Sequence, residues 1–497
     1  MQDDNETETP IETPRVRAPE INRAGLAWFN VDAPLSLKDL EGRMVILDFW
    51  TSGCVNCMHV LPALRKIEAA YPEEVVVVGV HTPKFGAEQD PDNLRTVLAR
   101  LGVAHPVIND INYTLWSEYA VRAWPTLVFI GPDGHVMGQL AGEPDPERLL
   151  TAVSELVERW DTQGRLTPRP LDTQAPEAET GQYAFPGKLK PLPGETRRWV
   201  LADAGHHQIV ILNDDGSEVG RFGNGAPGFA DGIANRARFR SPEGLAADSD
   251  TVLVADTGNH AVRRIDLTNG RVSTVAGTGE RGMVIQEAEP SLAAELASPW
   301  DIALDGDVAY IANAGTHQIL ALDLPGRELT PLAGNGGEDI VDGDGRDAQL
   351  AQPSGLAMDR AANTLYVVDA ETSSVRAVDL SDRSVATLVG EGAFVYGDDN
   401  GPFPLARFQH PLGIDVSTGE LLVADTYNDR ARVLDLAARR VRDLDDGFTC
   451  DDESEAAPAQ PAGVQADGPN RVLLVDTNNH RILAYDLASH RSRTWAG

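Results

Sequence analysis

Two cysteines, Cys54 and Cys57, lie within the segment LDFWTSGCVNCMHVLPAL at residues 47–64. The pair follows an apolar run typical of a buried strand and opens a pattern typical of a helix. Unpaired amides and the helix dipole stabilise a thiolate at the first cysteine of such a pair, and the second lies one turn along, within disulfide reach. The spacing therefore predicts a redox dithiol in which Cys54 is the exposed nucleophile and Cys57 the resolving thiol.

Other chemistries of a Cys-x-x-Cys pair fit this sequence less well. A zinc site needs two more ligands, and the third cysteine of the chain, Cys450, lies far away in an acidic segment. Haem attachment needs a histidine directly after the second cysteine, where this chain has Met58. Thr51 forms the Thr-x-x-Cys pattern of peroxiredoxins, but Leu47 stands in place of that family's proline. A thiol peroxidase and an inactive scaffold remain as alternatives, and the sequence predicts neither a metal nor a cofactor.

Strands and helices predicted from the apolar patterns alternate along this part of the chain. The strands fall at 45–50, 75–80, 127–131 and 135–142, and the helices at 54–70, 92–101 and 145–160. Alternating elements with continuous apolar strands are typical of an α/β layered domain, so we expect the cysteine pair at the end of a central strand.

Residues 40–160 resemble thioredoxin-like proteins of the TlpA and redoxin type. Asp48 matches the buried carboxylate that this family keeps below the disulfide, and Trp50 matches the tryptophan that precedes the redox turn. Pro62 matches the proline of the active-site helix. The resemblance implies a redox disulfide between Cys54 and Cys57, with Asp48 as the proton relay of the resolving cysteine.

The segment YAVRAWPTLVFIGPDGHV at 119–136 resembles the family's cis-proline loop. The resemblance implies that Pro125 lies against the redox turn, and that Trp50, Trp124 and Pro125 help to bind an extended substrate. Gly53 and the Val55-Asn56 pair depart from the family's usual Trp and Gly-Pro. The sequence therefore leaves open whether the site reduces, oxidises or isomerises disulfides.

Composition suggests where the domains begin and end. Residues 1–19 form an acidic stretch that we expect to be a disordered tail. Residues 161–183 lose apolar periodicity and are rich in Pro, Thr and Glu, which predicts an interdomain linker. The thioredoxin-like domain is then expected at 20–160 and a second domain at 184–497.

One motif recurs six times after this linker, in the forms ADAGHHQI, ADTGNHAV, ANAGTHQI, VDAETSSV, ADTYNDRA and VDTNNHRI. Its second residues are Asp203, Asp256, Asn313, Asp369, Asp425 and Asp476, spaced 53, 57, 56, 56 and 51 residues apart. Such periods are typical of propeller blades. Each copy contains patterns for four strands, so the second domain is predicted to be an all-β six-bladed β-propeller.

The repeats resemble the NHL family, through Asn259-His260 and Asn479-His480. Ser373 and Asp429 replace the histidine in two copies. The histidines at this position could hold a channel metal, but residues repeated at one blade position more often stabilise turns through hydrogen bonds. We favour the hydrogen-bonding role for the four histidines, which are His207, His260, His317 and His480.

Net charge narrows the range of partners. The 497 residues include 76 acidic and 42 basic side chains, for a formal charge of −34. No run of Lys or Arg provides a basic patch, so we expect binding neither to nucleic acid nor to a membrane surface. No stretch approaches the ~18 apolar residues of a membrane span, and the first residues lack a signal-peptide pattern. We therefore expect a cytoplasmic protein.

The order of the two modules resembles that in the family of NHL-repeat-containing protein 2. The motif and the resemblance predict a thiol–disulfide oxidoreductase whose propeller is a platform for a protein client or disulfide substrate. The alternative is a redox-inactive or redox-sensing interaction scaffold. A thiol peroxidase, or a hydrolase or lyase with a metal in the propeller channel, is the third class of function considered.

Overall fold

The computed structural model describes residues 16–176, 181–194, 196–444, 449–450 and 457–497. These residues form two compact units. The first comprises 16–83 and 88–176, and the second comprises 84–87 and the described residues from 181 onward. Residues 1–15 of the predicted tail and 177–180 of the predicted linker lie outside the described residues.

The first unit is a six-stranded sheet covered by helices, with the strand order β1-β4-β3-β2-β5-β6. Its elements are β1 (Ala27–Phe29), β2 (Met44–Trp50), α1 (Val55–Ala70), β3 (Val75–His81), α2 (Pro91–Leu101), β4 (Val107–Asn109), α3 (Thr114–Glu118), β5 (Thr126–Ile130), β6 (Val136–Ala141) and α4 (Pro146–Thr162). Strand β2 pairs in parallel with β3 and antiparallel with β5. The thioredoxin-like fold class predicted from the alternating pattern is confirmed. The short elements β1, β4 and α3 were not predicted, because three to five residues are too few to show a period.

Both faces of the central strands are buried, as the continuous apolar runs predict. Alternate residues of a strand point to opposite faces, so Val45, Leu47 and Phe49 join one core cluster. Met44 and Ile46 point the other way, into a cluster that includes residues of α1 and α4. Asp48 and Trp50 share this second face by the same alternation, which directs them toward the side where α1 lies.

The first unit also includes chain segments on either side of the predicted domain, 20–160. The predicted tail includes 16–19, where Val16 accepts a backbone hydrogen bond from Val136 (2.9 Å) and Ala18 is buried. The predicted linker overlaps the end of α4, and Thr167 donates to the Gly42 carbonyl (2.7 Å). Composition did not show this packing, because backbone hydrogen bonds can order a Pro-rich or polar segment that has no apolar period.

The second unit contains six sheets, which are the blades of the predicted propeller, and the long strands within each sheet are antiparallel. A two-residue strand of the sixth blade pairs in parallel with its neighbour. Blade 1 has four strands, and each of the other blades has a fifth strand of two residues. The strands of blades 1 to 3 are β7 (Pro186–Leu192), β8 (Arg198–Asp203), β9 (Gln208–Asn213), β10 (Glu218–Phe222), β11 (Gly232–Ile233), β12 (Leu245–Ala247), β13 (Thr251–Asp256), β14 (Ala261–Asp266), β15 (Arg271–Ala276), β16 (Glu289–Pro290), β17 (Pro299–Asp305), β18 (Val308–Asn313), β19 (Gln318–Asp323) and β20 (Glu328–Ala333).

The strands of blades 4 to 6 are β21 (Gly343–Asp344), β22 (Pro353–Asp359), β23 (Thr364–Asp369), β24 (Ser374–Asp379), β25 (Ser384–Val389), β26 (Gly401–Pro402), β27 (Gly413–Ser417), β28 (Glu420–Asp425), β29 (Arg430–Asp435), β30 (Arg440–Asp443), β31 (Thr449–Cys450), β32 (Gly463–Ala466), β33 (Arg471–Asp476), β34 (Arg481–Asp486) and β35 (Arg491–Ala496). The six-bladed propeller is confirmed. Cys450 is exposed on the two-residue strand β31. No helix in the described part of the chain has the length and apolar character that crossing a bilayer requires.

The repeated Asp or Asn of each blade holds the segment that leads into that blade. In every blade its side chain accepts a hydrogen bond of 2.7–3.0 Å from a backbone N–H just before the innermost long strand. The donors are Ala184, Arg240, Ala297, Ala351, Gln409 and Ala459. The sequence period thus reports a repeated hydrogen bond within the blade.

Buried arginines compensate the charge of several of these carboxylates. Arg263 pairs with Asp256 and Arg432 with Asp425, and all four side chains are fully buried. Blade 3 has the neutral Asn313, which donates to the Thr316 hydroxyl (2.6 Å) instead. A buried charge is costly unless it is paired, and these blades meet that requirement locally.

Candidate functional site

Helix α1 begins at the cysteine pair. Cys54 is the N-cap residue, and its Sγ accepts a hydrogen bond from the Cys57 backbone N–H (3.1 Å). The first N–H groups of a helix have no partner within the helix, and a thiolate is a good acceptor for them. As predicted, Cys54 lies at the start of this helix and Cys57 lies one turn along.

Both cysteines are present as thiols and both are buried. Cys54 has 6 % of its surface exposed and Cys57 has 2 %. The prediction of an exposed Cys54 is therefore wrong for this structure, because the helix start lies in an apolar cluster with Trp50, Leu61 and Trp124. Burial raises the pKa of the Cys57 thiol well above its ordinary value, and the neighbouring Cys54 raises this pKa further.

Asp48 lies in the middle of β2, opposite Gly79 of β3 and Leu127 of β5. Only 1 % of Asp48 is exposed, and neither carboxylate oxygen has a hydrogen-bond partner among the described residues. Burial raises the pKa of Asp48 to about 7, with His105 acting to lower this pKa and Glu68 to raise it. The side chain can therefore exchange a proton near neutral pH.

Two histidines lie among these residues, His105 close enough to Asp48 to lower its pKa and His81 beside Trp50. His81 is the register partner of Trp50, with ring centroids 5.0 Å apart, and its Nδ1 lies 3.1 Å from the Asn109 amide oxygen. His105 Nδ1 lies 3.2 Å from a Glu68 oxygen. The Nε2 atoms of both histidines are buried without a hydrogen-bond partner among the described residues. His81 could have been suspected, because it ends the strand beside β2.

Gly79 leaves the space that this cluster needs. A Cβ at this position would lie 3.1 Å from Trp50 Nε1 and 3.4 Å from His105 Nε2. It would also lie 3.0 Å from Val107 Cγ2, so a larger residue would require these neighbours to shift. Asp48, Trp50 and His105 therefore all lie next to Gly79 of β3.

The peptide bond between Trp124 and Pro125 is cis, as the resemblance implied. The Trp124 ring is half-buried and lies 4.6 Å from the Trp116 ring, with which it packs at a tilt. Trp124 also belongs to the apolar cluster around Cys54, Cys57 and Trp50. The structure thus brings the predicted Trp50 and Trp124 together with both cysteines.

The four repeated histidines of the propeller are hydrogen-bond acceptors between blades. Each follows the turn after the second long strand, has a positive φ, and accepts the backbone N–H of a residue of the next blade through Nδ1. Ser373 and Asp429 accept the equivalent N–H through their side-chain oxygens. The six acceptor–donor pairs are His207–Ser241, His260–Ser298, His317–Gln352, Ser373–His410, Asp429–Gln460 and His480–Phe185.

The last of these pairs closes the ring. His480 of blade 6 accepts the Phe185 N–H of blade 1 at 3.0 Å, so the closure repeats the contact that joins the other blades. Lys188 of blade 1 adds hydrogen bonds to the carbonyls of Leu412 and Ala462, and burial lowers its pKa to about 8. Closure therefore needs no exchange of a strand between the first and last blades.

Known proteins and protein families match both the thioredoxin-like unit and the propeller. A family model described as thioredoxin-like matches residues 42–136, and the NHL repeat model matches residues 239–265. Thiol-disulfide oxidoreductase ResA of Bacillus anthracis is 30 % identical over 115 residues, which cover 23 % of this chain and 64 % of that protein.

Two relatives match along nearly the whole chain. NHL repeat-containing protein 2 of Homo sapiens is 35 % identical over 503 residues, covering 93 % of this chain and 69 % of that protein. Protein SUPPRESSOR OF QUENCHING 1, chloroplastic, of Arabidopsis thaliana is 36 % identical over 486 residues, covering 93 % of this chain and 46 % of that protein. The chain, with its thioredoxin-like unit and six-bladed propeller, belongs to the NHL repeat-containing protein 2 family.

Proposed function

We propose that this chain is a thiol–disulfide oxidoreductase that uses the Cys54–Cys57 dithiol, and that its propeller is an interaction platform for a protein client. The observation that carries the proposal is the hydrogen bond from the Cys57 N–H to Cys54 Sγ, above a buried carboxyl group with a pKa of about 7. The first feature favours a thiolate at Cys54, and the second supplies a group that can take a proton from Cys57. The similarity to ResA supports a role of this redox type.

The reaction takes place in two exchanges. The Cys54 thiolate attacks one sulfur of a substrate disulfide, which forms a mixed disulfide and releases the other substrate sulfur as a thiolate. Asp48 then accepts the Cys57 proton, and the Cys57 thiolate attacks Cys54 Sγ. The products are the Cys54–Cys57 disulfide and a substrate dithiol, so the substrate gains two electrons and the enzyme loses two. The same steps in reverse oxidise a substrate dithiol.

Trp50, Trp124 and Pro125 are proposed to line the substrate site. Trp124 is half-buried beside the cysteines, so its ring is accessible in part to a bound chain. We propose Asp48 as the proton relay because it is buried on the α1 side of the sheet and its carboxylate is near enough to raise the pKa of Cys57.

The test compares single cysteine variants of the full chain in the reduction of a protein disulfide. Cys54→Ser should lower the rate by about 10³-fold or more, since the nucleophile is lost. Cys450→Ser is the matched control, because it removes an exposed cysteine outside the first unit, and its rate should equal that of the wild type. Equal rates for Cys54→Ser and the wild type would refute the proposal.

A trapping experiment identifies the client. Cys57→Ala should leave the mixed disulfide on Cys54 unresolved, so that a covalent complex appears on a non-reducing gel and disappears with dithiothreitol. The double variant Cys54→Ser/Cys57→Ala should trap nothing. If both variants trap the same proteins, the covalent link does not involve Cys54.

A redox-sensing scaffold is the second candidate, and the burial of both thiols favours it. In that role the dithiol is oxidised once and changes what the propeller binds, without turnover. Multiple turnovers with a thiol reductant would exclude this role. A single oxidation event with no turnover would support it in place of the oxidoreductase.

A further inference from the structure

A buried carboxylate, Glu88, receives hydrogen bonds from three consecutive residues just before the nucleophile. Its Oε2 accepts from the Thr51 hydroxyl (2.6 Å). Its Oε1 accepts from the Ser52 hydroxyl and from the Gly53 backbone N–H, both at 2.8 Å. Only 2 % of Glu88 is exposed.

These three residues form the turn between β2 and α1. The turn is closed by a hydrogen bond from the Cys54 N–H to the Thr51 carbonyl (3.3 Å), so the Cys54 backbone is tied to the segment that Glu88 holds. Cys54 is also the N-cap of α1. The place of its sulfur therefore depends on the conformation of residues 51–53.

The chemistry of the three donors suits a carboxylate. The Gly53 N–H can only donate, and the two hydroxyls donate in the observed geometry, so an acceptor with two oxygens satisfies all three groups. Hydrogen bonds to an ionised acceptor are stronger than those between neutral groups. No other buried Glu or Asp of the described residues contacts the turn in this way.

Glu88 is itself held in place. It lies in a short 3₁₀ turn, Ala87–Gln89, which leads into α2. The next residue, Gln89, accepts from the Asn109 side chain through its carbonyl (3.3 Å), and Asn109 also contacts His81 (3.1 Å). The segment that carries the carboxylate is therefore anchored to the sheet through Asn109.

We propose that Glu88 is a positioning residue for the thiol chemistry, which fixes the turn 51–53 so that Cys54 Sγ stays at the start of α1. This inference rests on the proposed oxidoreductase function, because it concerns the same nucleophile. In this role Glu88 acts through Thr51, Ser52 and Gly53.

The test uses three variants of the full chain in a Cys450→Ser background. Glu88→Ala removes all three hydrogen bonds, and Glu88→Gln keeps an acceptor oxygen of the same shape without the charge. Asp90→Ala is the matched control, because Asp90 caps α2 two residues further on and its side chain accepts from the Asp92 N–H (2.8 Å). It loosens the same segment and leaves the contacts to the turn intact.

Two measurements are made on each variant. The first is the second-order rate constant for exchange with oxidised glutathione, and the second is the pH midpoint for alkylation of Cys54 by iodoacetamide, followed by mass spectrometry of the Cys54 peptide. Glu88→Ala should lower the exchange rate about tenfold or more and move the alkylation midpoint, since a misplacement near 1 Å is enough for such a loss. Glu88→Gln should restore the rate to within about threefold of the wild type, and Asp90→Ala should match the wild type in both measurements.

The outcomes separate the two proposals. If the wild type exchanges and Glu88→Ala matches it in rate and midpoint, the positioning role is wrong and the oxidoreductase stands. If Asp90→Ala loses as much as Glu88→Ala, the effect is general loosening and the role is again wrong. If the wild type does not exchange at all, the oxidoreductase fails, and an alkylation midpoint that is shifted in Glu88→Ala but not in Glu88→Gln, which lacks the same charge, still supports positioning.

A variant that does not fold is replaced by changes on the other side of the contact. Thr51→Val/Ser52→Ala removes two of the three donors and keeps Glu88 and the Gly53 N–H. Its alkylation midpoint should move in the same direction as that of Glu88→Ala. An unchanged midpoint and rate in this double variant would overturn the proposal.

Discussion

Asp48 and Asp256 are equally buried carboxylates with opposite surroundings. Asp256 of the propeller accepts from the Arg240 N–H and the Asn259 side chain and pairs with Arg263. Asp48 of the thioredoxin-like unit has no hydrogen-bond partner among the described residues. Burial without a partner costs free energy, whereas a paired carboxylate holds neighbouring segments together. Burial raises the pKa of both carboxyl groups, to about 7 for Asp48 and to about 6 for Asp256, where Arg263 and the hydrogen bonds act to lower it. The propeller carboxylate therefore connects neighbouring segments, whereas Asp48 is buried without such contacts.

Removing the charged partner of a propeller carboxylate should have the largest effect on the free energy of unfolding. Arg432→Met should lower the free energy of unfolding by about 3–5 kcal/mol, because Asp425 would then be buried without its compensating charge. Arg360→Met is the control, since Arg360 and Asp305 form an exposed ion pair and such pairs contribute about 0–1 kcal/mol. Urea unfolding, followed by hydrogen exchange of blade 5 peptides, measures both. Equal losses of unfolding free energy in Arg432→Met and Arg360→Met would contradict the distinction between buried and exposed ion pairs.

Replacing Asp48 should have the opposite effect and raise the free energy of unfolding. The folded state holds the Asp48 proton up to a pKa of about 7 and the unfolded chain releases it near 3.8, so wild-type stability falls as the pH rises between these values. Asp48→Asn should therefore be more stable than the wild type at pH 8 by as much as about 4 kcal/mol. At pH 4 the two proteins should unfold at nearly the same urea concentration. A constant difference at both pH values would show that the charge of Asp48 is not its cause.

Ring closure gives a third, smaller effect. His480→Ala leaves the buried Phe185 N–H without its acceptor, which should cost about 1–3 kcal/mol in the free energy of unfolding. His480→Asp or His480→Ser should recover part of this loss, because Asp429 and Ser373 serve the same purpose in blades 5 and 4. His490→Ala controls for the positive φ that both histidines have. If another contact closes the ring, His480→Ala and His490→Ala should lose the same free energy of unfolding.

The smallest effect is the pH dependence of an inner blade contact. Burial lowers the pKa of His207, whose Nδ1 accepts the Ser241 N–H. The unfolded chain therefore binds the proton more readily, and this contribution to stability is present above pH 6.5 and is lost as the pH falls through the lowered pKa. His207→Ser should flatten the pH dependence of hydrogen exchange at Ser241. An unchanged dependence would show that the imidazole does not titrate against folding.

Much of the architecture could be predicted because it follows from patterns of residues close together in the sequence. The period of the turn motif predicted six blades, and continuous apolar strands predicted the central strands β2 and β3 with an error of one residue at their ends. The family resemblance supplied Asp48, Trp50 and Pro125, and the cis bond at Pro125 is present. The packing of residues 163–176 within the first unit could not be predicted, because their backbone hydrogen bonds are made to residues distant in the sequence.

The sequence by itself determined the order of the two cysteines at a helix start and the repeated turn of the propeller, because both depend on residues a few positions apart. The tertiary structure decided which polar groups meet below and beside the thiols. Glu88, His81 and His105 come from outside the Cys-x-x-Cys segment and reach the site only through strand pairing and packing. Burial of Cys54 and the hydrogen bond that closes the ring were decided in the same way, since each depends on segments that are distant in the chain.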